Sequence, residues 1–253
     1  MGILYIILGF EVGCIVGLTG VGGGSLMSPL LVLLFGVSPA TAVGTDLLYA
    51  AITKAGGSFL YARRQGIDWR LCRLLATGSI PASAVTIFFL GKLKSSPSYS
   101  GLISHSLGFA LVLTAISLLA RPLIVRWRGE IETSRFSAPI AITVGVLMGV
   151  LVSLSSVGAG AIGIAALFLI APGLSTSKTV GTDIAHAVPL TLVAGLGHWA
   201  LGGVDFQLLG YLLTGSLPGI YLGSQLSTLV PERVLRGLLA VMLVLVGSRM
   251  IAH

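Results

Sequence analysis

The sequence GLTGVGGGSLMSP, at residues 17–29, places five glycines, two serines and a threonine in an otherwise apolar region. It lies between two runs that are too hydrophobic for the surface of a soluble protein. Irregular backbone at membrane depth is tolerated only where it is buried in protein or lines a cavity. A second break of this kind, SLSSVGAGA, occupies residues 153–161 in the other half of the chain. We therefore expect the two breaks to build a binding site for a small anion.

The composition identifies an integral membrane protein. The chain has 253 residues, of which 55% are hydrophobic and 9% charged, whereas soluble domains carry about 25% charged residues. The apolar runs are long and lack the alternation of barrel strands. No basic segment precedes the first run, so we expect no cleaved signal peptide.

Lysine and arginine outnumber acidic residues by 15 to 8, an excess typical of cytoplasmic loops in membrane proteins. The basic residues are scattered between apolar spans, which argues against a nucleic-acid partner. Cys14 and Cys72 form no metal-binding or redox motif and are expected to pack as small apolar residues.

Ten apolar segments follow one another along the chain. The second and seventh are too short to cross about 30 Å of hydrocarbon at 1.5 Å per residue. Each follows a break, so each forms either the second arm of a re-entrant hairpin or a short span. The segments cover residues 3–18, 25–36, 40–62, 71–91, 101–121, 138–154, 161–171, 179–200, 207–229 and 234–252.

The two halves of the sequence are duplicates. Val43-Gly44-Thr45-Asp46 recurs 137 residues later, and so does the Thr-Gly-Ser-x-Pro sequence of residues 77–81; the breaks align at an offset of 136. This defines an N-terminal repeat (1–121), a cytoplasmic connector (122–137) and a C-terminal repeat (138–253). Inverted repeats would place 11 basic residues inside and 3 outside, parallel repeats about 9 and 5. The charges therefore favour inversion, with both termini outside.

Inverted repeats with broken helices predict a secondary transporter whose site lies near the bilayer midplane. The glycines would expose backbone N–H groups, and the segment that starts at Ser25 would offer a helix N-terminus, which favours an anion. The alternative is that small residues only allow close helix packing. The candidate substrate-binding residues are Thr19, Gly20, Gly22, Gly23, Gly24, Ser25, Thr45, Ser155, Ser156, Gly158, Gly160 and Thr182.

Asp46 and Asp183 are expected close to the starts of the third and eighth helices. There they would cap the helix or hold scaffold in place, or they would bind and release a proton. A bare carboxylate would repel a bound anion. They therefore fit gating or coupling better than direct substrate contact.

Further candidates for coupling or gating are Glu11, Lys54 and His186. A charge in mid-segment is costly and functional by default, so Glu11 would carry a proton or pair with Lys54, which could instead attract the anion. His186 shares a helix face with Asp183 and would either titrate or pack as a buried residue. His198 is expected at the membrane interface.

Pro81 and Pro218 are expected early in the fourth and ninth segments, as symmetric kinks or hinges. The sequence contains no Gly-x-Ser-x-Gly, no P-loop and no histidine pair at metal spacing. We therefore predict no catalytic residues, no cofactor and no metal site.

The motif of residues 17–26 with Pro29, followed by Ala42-Val-Gly-Thr45 and the repeated Val-Gly-Thr-Asp, resembles the sulfite exporter TauE/SafE family over essentially the whole chain. The resemblance implies a prokaryotic permease that carries small anions, with sulfite and organosulfonates as the leading class. The second break has fewer glycines, and Ala165 replaces Pro29. We therefore expect the first break to contact the anion more than the second.

Together these observations predict an all-α, multi-pass exporter of a sulfur-containing anion in the cytoplasmic membrane of a prokaryote. With no ATP-binding element, transport would follow the anion gradient, the membrane potential or protons. The alternatives are a channel-like uniporter, a metal-cation carrier and a non-transporting membrane subunit. The expected partners are the anion and the lipid bilayer. Proton coupling and homo-oligomer formation stay open.

Overall fold

The computed structural model describes residues 2–19, 26–63, 66–128, 137–226 and 232–252. These residues form ten α-helices and no strand, which confirms the all-α prediction. The helices are α1 (Gly2–Thr19), α2 (Met27–Phe35), α3 (Pro39–Arg63), α4 (Trp69–Leu93), α5 (Ser98–Arg128), α6 (Ala138–Ser155), α7 (Ala161–Ile170), α8 (Thr176–Ala200), α9 (Phe206–Leu226) and α10 (Glu232–Ala252).

The distribution of polar and apolar side chains is that of a multi-pass membrane protein. In the described ranges, four helices have the length and apolar composition to cross a bilayer: α4, the 98–125 part of α5, α6 and α8. Large apolar side chains point outward, among them Phe88, Phe109 and Leu147. Ionisable side chains lie inside instead, as the next subsection describes. An apolar exterior around a polar interior suits a lipid environment.

The two short helices are as short as the sequence predicts. α2 has 9 residues and α7 has 10, so they measure only about 14 and 15 Å at 1.5 Å per residue. Between α6 and α7 the backbone turns through positive φ at Ser156, Gly158 and Gly160. Glycine adopts such angles at little cost, which explains why this break is glycine-rich.

The sequences Thr45-Asp46 and Thr182-Asp183 do not lie at the starts of α3 and α8, where the sequence analysis places them. α3 begins at Pro39, where a proline is favoured because its N–H is not needed, and α8 begins one residue after Ser175, whose side chain caps it. Asp46 and Asp183 therefore lie about two turns inside their helices, and the interpretation of these residues as caps is wrong.

The true aspartate caps come one loop later. The carboxylate of Asp68 accepts the N–H of Leu71 at the start of α4 (3.0 Å), and that of Asp205 accepts the N–H of Leu208 at the start of α9 (2.9 Å). A carboxylate at this position satisfies a donor that the helix itself leaves unpaired.

Two further boundaries differ from the prediction. Pro81 and Pro218 lie near the middle of α4 and α9, not early in them; they are also central in the apolar runs of residues 71–91 and 207–229. α5 continues to Arg128 through Pro122, so helix extends into the segment assigned to the connector. The division into repeats and connector stays a prediction.

Glycines allow α1 to lie against α9 at very short range. A Cβ at Gly9 or Gly13 would come within 2.5 Å of the carbonyl oxygen of Leu212 or Ser216, and a Cβ at Gly215 would overlap the carbonyl of Ile6. The repeat-equivalent helices α6 and α4 cross in the same way. There Gly145 and Gly149 face the carbonyls of Leu75 and Ser79.

The central helices α3 and α8 pack against each other with opposite chain directions. Gly44, early in α3, lies against His198, late in α8, whereas Gly57, late in α3, lies against Ile184, early in α8. These helices occupy matching places in the two repeats. Repeats related by inversion in the membrane require this antiparallel arrangement of equivalent helices.

Candidate functional site

The interior of the α3–α8 pair contains a polar centre made of four ionisable residues. Asp46 and Lys54 belong to α3, and Asp183 and His186 to α8. The exposed fraction of each side chain is 6% or less, and Lys54 interacts electrostatically with both carboxylates. Four of the five residues predicted for coupling or gating thus lie in one region. Glu11 does not join them.

Hydrogen-bond donors surround one carboxylate oxygen of Asp46, whereas its Oδ1 has no partner among the described residues. Its Oδ2 accepts the hydroxyl of Ser28 at 2.6 Å, the backbone N–H of Ser28 at 3.3 Å and the hydroxyl of Ser156 at 3.0 Å. Ser28 lies in the first turn of α2, so the free donors of this helix terminus hold the protein's own carboxylate. The sequence predicts that this helix N-terminus binds a substrate anion. In the structure Asp46 already accepts one of its N–H donors.

Lys54 extends from α3 to the break between α6 and α7. Its ammonium donates to the carbonyl oxygen of Ala159 at 2.7 Å, the one hydrogen bond that the described residues give it, and an ammonium carries three donors. The expected ion pair between Glu11 and Lys54 is not formed. Glu11 is exposed on α1, whereas Lys54 is buried.

Asp183, the repeat counterpart of Asp46, has a different environment. Its exposed fraction is 1%, and within the described residues neither carboxylate oxygen has a hydrogen-bond partner. It packs against Gly163 in the first turn of α7, where any Cβ would overlap Oδ1. The carboxylate of Asp183 therefore faces the terminus of a short helix, as that of Asp46 does. Unlike Asp46, it accepts no hydrogen bond from the described residues.

Both buried histidines use one ring nitrogen. His186 Nε2 lies 2.8 Å from the hydroxyl of Ser79 in α4, and His198 Nε2 lies 2.9 Å from the carbonyl oxygen of Ser153 in α6. His198 lies in the last turn of α8 and is fully buried in the protein, so its place at the membrane interface stays a prediction. It joins the end of α8 to the end of α6.

The second break contributes to the polar centre in two ways. Ser156 donates to Asp46, and Ala159 accepts from Lys54, whereas the hydroxyl of Ser155 is satisfied locally by the carbonyls of Leu151 and Val157. Gly158 and Gly160 supply the turn. A substrate contact by any of these residues stays a prediction.

Residues 20–25 of the first break fall outside the described residues. This applies to the predicted site residues Gly20, Gly22, Gly23, Gly24 and Ser25. Thr19 ends α1, and its side chain also lies outside the description.

Thr45 and Thr182 connect the two repeats. The hydroxyl of Thr45 accepts the backbone N–H of Asp205 at 3.0 Å, and that of Thr182 accepts the N–H of Asp68 at 2.9 Å. The two bonds are repeat-equivalent and lie at opposite ends of the α3–α8 pair. In this structure both hydroxyls hold the loop before a helix of the other repeat.

We expect Thr45→Val and Thr182→Val each to lower stability by about 1–3 kcal/mol, because valine leaves a backbone N–H without its acceptor. The measurement is the melting temperature of the purified protein in detergent. Thr214→Val is the control, since the Thr214 hydroxyl bonds only within its own helix at an exposed site. Unchanged melting of both variants would contradict the cross-repeat role.

Three residues that contact the polar centre were not proposed as site residues from the sequence: Ser28, Ser79 and Gly163. Ser79 belongs to the Thr-Gly-Ser-x-Pro sequence that both repeats share, so the duplication contained a signal for it. Ser28 and Gly163 have no such signal, because the other repeat has Ile164 and Met27 at these places. Among the described residues, no three histidine, cysteine or acidic side chains are grouped as a metal ion would need.

Comparison with known proteins gives a consistent result over nearly the full length. The profile of the family described as "Sulfite exporter TauE/SafE" matches residues 5–250. The "probable membrane transporter protein YjnA" of Bacillus subtilis (strain 168) is 38% identical, over 99% of this chain and 100% of its own length. YdhB of the same organism, described in the same words, is 32% identical over 92% and 93%. No solved structure matches.

Proposed function

Because this chain belongs to the sulfite exporter TauE/SafE family, we propose that it is a secondary carrier that exports a small sulfur-containing anion, such as sulfite or an organosulfonate. Membrane transport is the function common to the family and to its named relatives. The substrate class, the direction and the cytoplasmic membrane of a prokaryote as its location are our proposal.

The observation that carries this proposal is the buried ammonium of Lys54 at the second break. A cation held inside a membrane protein marks an ion pathway or a pairing site. Its remaining donors suit the oxygens of a small oxyanion, and the break that Lys54 contacts at Ala159 also carries the hydroxyl of Ser156. The substrate would bind between α3 and the α6–α7 break, where it competes with the carboxylates for these donors.

We infer that the two repeats are inverted and that the site is reached alternately from either side. The antiparallel packing of α3 and α8 supports the inversion, and the midplane of such a pair is the usual place for a transporter site. Lys54 lies eight residues beyond Asp46, about 12 Å along α3, which places it near the middle of the α3–α8 crossing.

The membrane potential can drive export of an uncoupled anion. A negative cell interior favours outward movement by roughly 2.3 kcal/mol per charge per 100 mV. A carrier that moves the anion alone would therefore need no further energy source.

The test is uptake of sulfite by proteoliposomes, in alkaline buffer that suppresses passage of dissolved sulfur dioxide. We expect saturable uptake and counterflow, in which unlabelled sulfite inside the liposomes accelerates entry of labelled sulfite. Sulfite and methanesulfonate should also raise the melting temperature of the purified protein.

The outcome also separates the rival functions. Linear flux without counterflow would indicate a channel-like uniporter. Stabilisation by divalent metals alone, with no effect of anions, would overturn the proposal in favour of a metal carrier. A protein that melts cooperatively but moves no anion would fit a non-transporting subunit.

A further inference from the structure

We propose that Asp183 carries a proton together with the transported anion, so that the carrier works as a proton–anion symporter. This inference rests on the proposed function and replaces its uncoupled movement of the anion: one proton with one monoanion carries no net charge, so the anion gradient and the pH difference drive transport instead of the membrane potential. It identifies the residue that balances the charge when an anion enters the polar centre, which the anion site alone does not define.

The first argument is the charge of the centre. Its described residues contain two buried carboxylates, Asp46 and Asp183, against the single ammonium of Lys54. With both carboxylates ionised, an incoming monoanion would raise an existing excess of negative charge in a poorly solvated interior, which is strongly unfavourable. One proton on a carboxylate keeps the charge of the centre at the value it has without the anion, and it leaves Lys54 available for the anion.

The second argument identifies which carboxylate takes the proton. Asp46 accepts three hydrogen bonds from Ser28 and Ser156, and donors of this kind stabilise a charged carboxylate. Among the described residues Asp183 has none. A proton on Asp183 removes a charge that no described donor stabilises, whereas a proton on Asp46 would neutralise a carboxylate whose Oδ2 already accepts three hydrogen bonds.

The sequence explains why the two aspartates differ. At the offset of 136 that aligns the breaks, Ser156 corresponds to Gly20 and Ser28 corresponds to Ile164. Both hydroxyl positions around Asp46 are thus occupied by residues without a polar side chain in the other repeat. The duplication kept the carboxylate and not the hydroxyls around it, so the difference is a property of the chain itself.

The groups around Asp183 are few. Lys54 approaches from α3 and Cys72 lies on α4, whereas α6 and α7 present Met148 and Gly163. His186 follows on α8, with Nε2 directed at Ser79 and no described partner for Nδ1. In the empty carrier Lys54 balances Asp183. When an anion takes Lys54, Asp183 binds a proton from the same side and releases it on the other.

The test uses methanesulfonate, because its sulfonate stays ionised and any proton movement then belongs to the protein. Proteoliposomes with a clamped membrane potential are loaded with a pH-sensitive dye, and proton and anion uptake are measured together. We expect one proton for each anion. In Asp183→Asn the proton-to-anion ratio should fall towards zero, and the dependence of anion flux on external pH should disappear.

Two variants serve as matched controls. Asp46→Asn changes the repeat counterpart and should slow the flux without changing the ratio. His186→Gln should also keep the ratio, because the imidazole is not the proton carrier. Loss of coupling in His186→Gln but not in Asp183→Asn would overturn the assignment.

The remaining outcomes separate this inference from the proposed function. Anion flux without proton movement in the unmodified protein would overturn the symport and leave anion transport intact. No flux of methanesulfonate or sulfite in a correctly folded protein would overturn both. If Asp183→Asn fails to fold, an unmodified protein whose flux does not respond to pH still refutes the proposal.

Discussion

Replacing Gly13 with leucine is expected to separate α1 from α9 and to lower the stability of the protein by about 3 kcal/mol. The reason is that a Cβ at Gly13 would lie 2.5 Å from the carbonyl oxygen of Ser216 and 2.8 Å from its Cα. Both are backbone atoms that cannot turn away as a side chain could. We expect the melting temperature in detergent to fall by about 10 °C, measured by size-exclusion chromatography after heating.

Gly210→Leu is the matched control. Gly210 lies on α9, the partner helix, and a Cβ there meets nothing within 4 Å. Leucine also favours helix over glycine by close to 1 kcal/mol, so this variant should melt at the same temperature or higher. If both variants lose the same stability, bulk on the helices and not the close crossing would be the cause.

Replacing Lys54 with glutamine is expected to weaken sulfite binding about 100-fold, or 2.8 kcal/mol at 1.4 kcal/mol per tenfold change. The variant removes the ammonium that we place against the anion, and losing one partner of a buried charge pair costs several kcal/mol. The measurement is the sulfite concentration that gives half-maximal uptake into proteoliposomes. Lys92→Gln, at an exposed site on α4, should leave this concentration unchanged.

A double variant separates substrate binding from charge balance. If Lys54 serves only to neutralise the buried carboxylates, Lys54→Gln combined with Asp183→Asn removes one charge of each sign and should restore transport. If Lys54 binds the anion, the double variant should melt near the temperature of the unmodified protein and keep the weakened sulfite binding of Lys54→Gln. Restored uptake would therefore refute the role of Lys54 in substrate binding.

The sequence predicted the helices well, because they depend on local properties. Ten apolar segments and ten described helices correspond in order, and the short lengths of α2 and α7 followed from the positions of the breaks. Helix starts were less predictable. α3 begins one residue before its apolar run and α8 three residues before it, at sites set by Ser38-Pro39 and by Ser175. The Thr-Asp sequences, which resemble helix starts, lie inside these helices.

The sequence predicted which residues form the polar centre, but it did not predict which groups they contact. Buried charges in apolar segments directed attention to Asp46, Lys54, Asp183 and His186, and the structure brings all four together. Their partners depend on how distant segments pack. A backbone carbonyl such as that of Ala159 has no sequence signature at all. Glu11, like Lys54, is a charged residue within an apolar segment, but it lies on the outer face of α1.

The hydrogen bonds that the hydroxyls of Thr45 and Thr182 accept connect the two repeats, one at each end of the α3–α8 pair. Both bonds join a threonine hydroxyl to an aspartate N–H, so the chemistry of the bond does not favour either end. A resting preference for one open side must then arise where the repeats differ, above all in the hydroxyls that surround Asp46 and are missing around Asp183. In the proposed carrier, we therefore expect sidedness to depend on the unequal halves of the centre and not on these two hydrogen bonds.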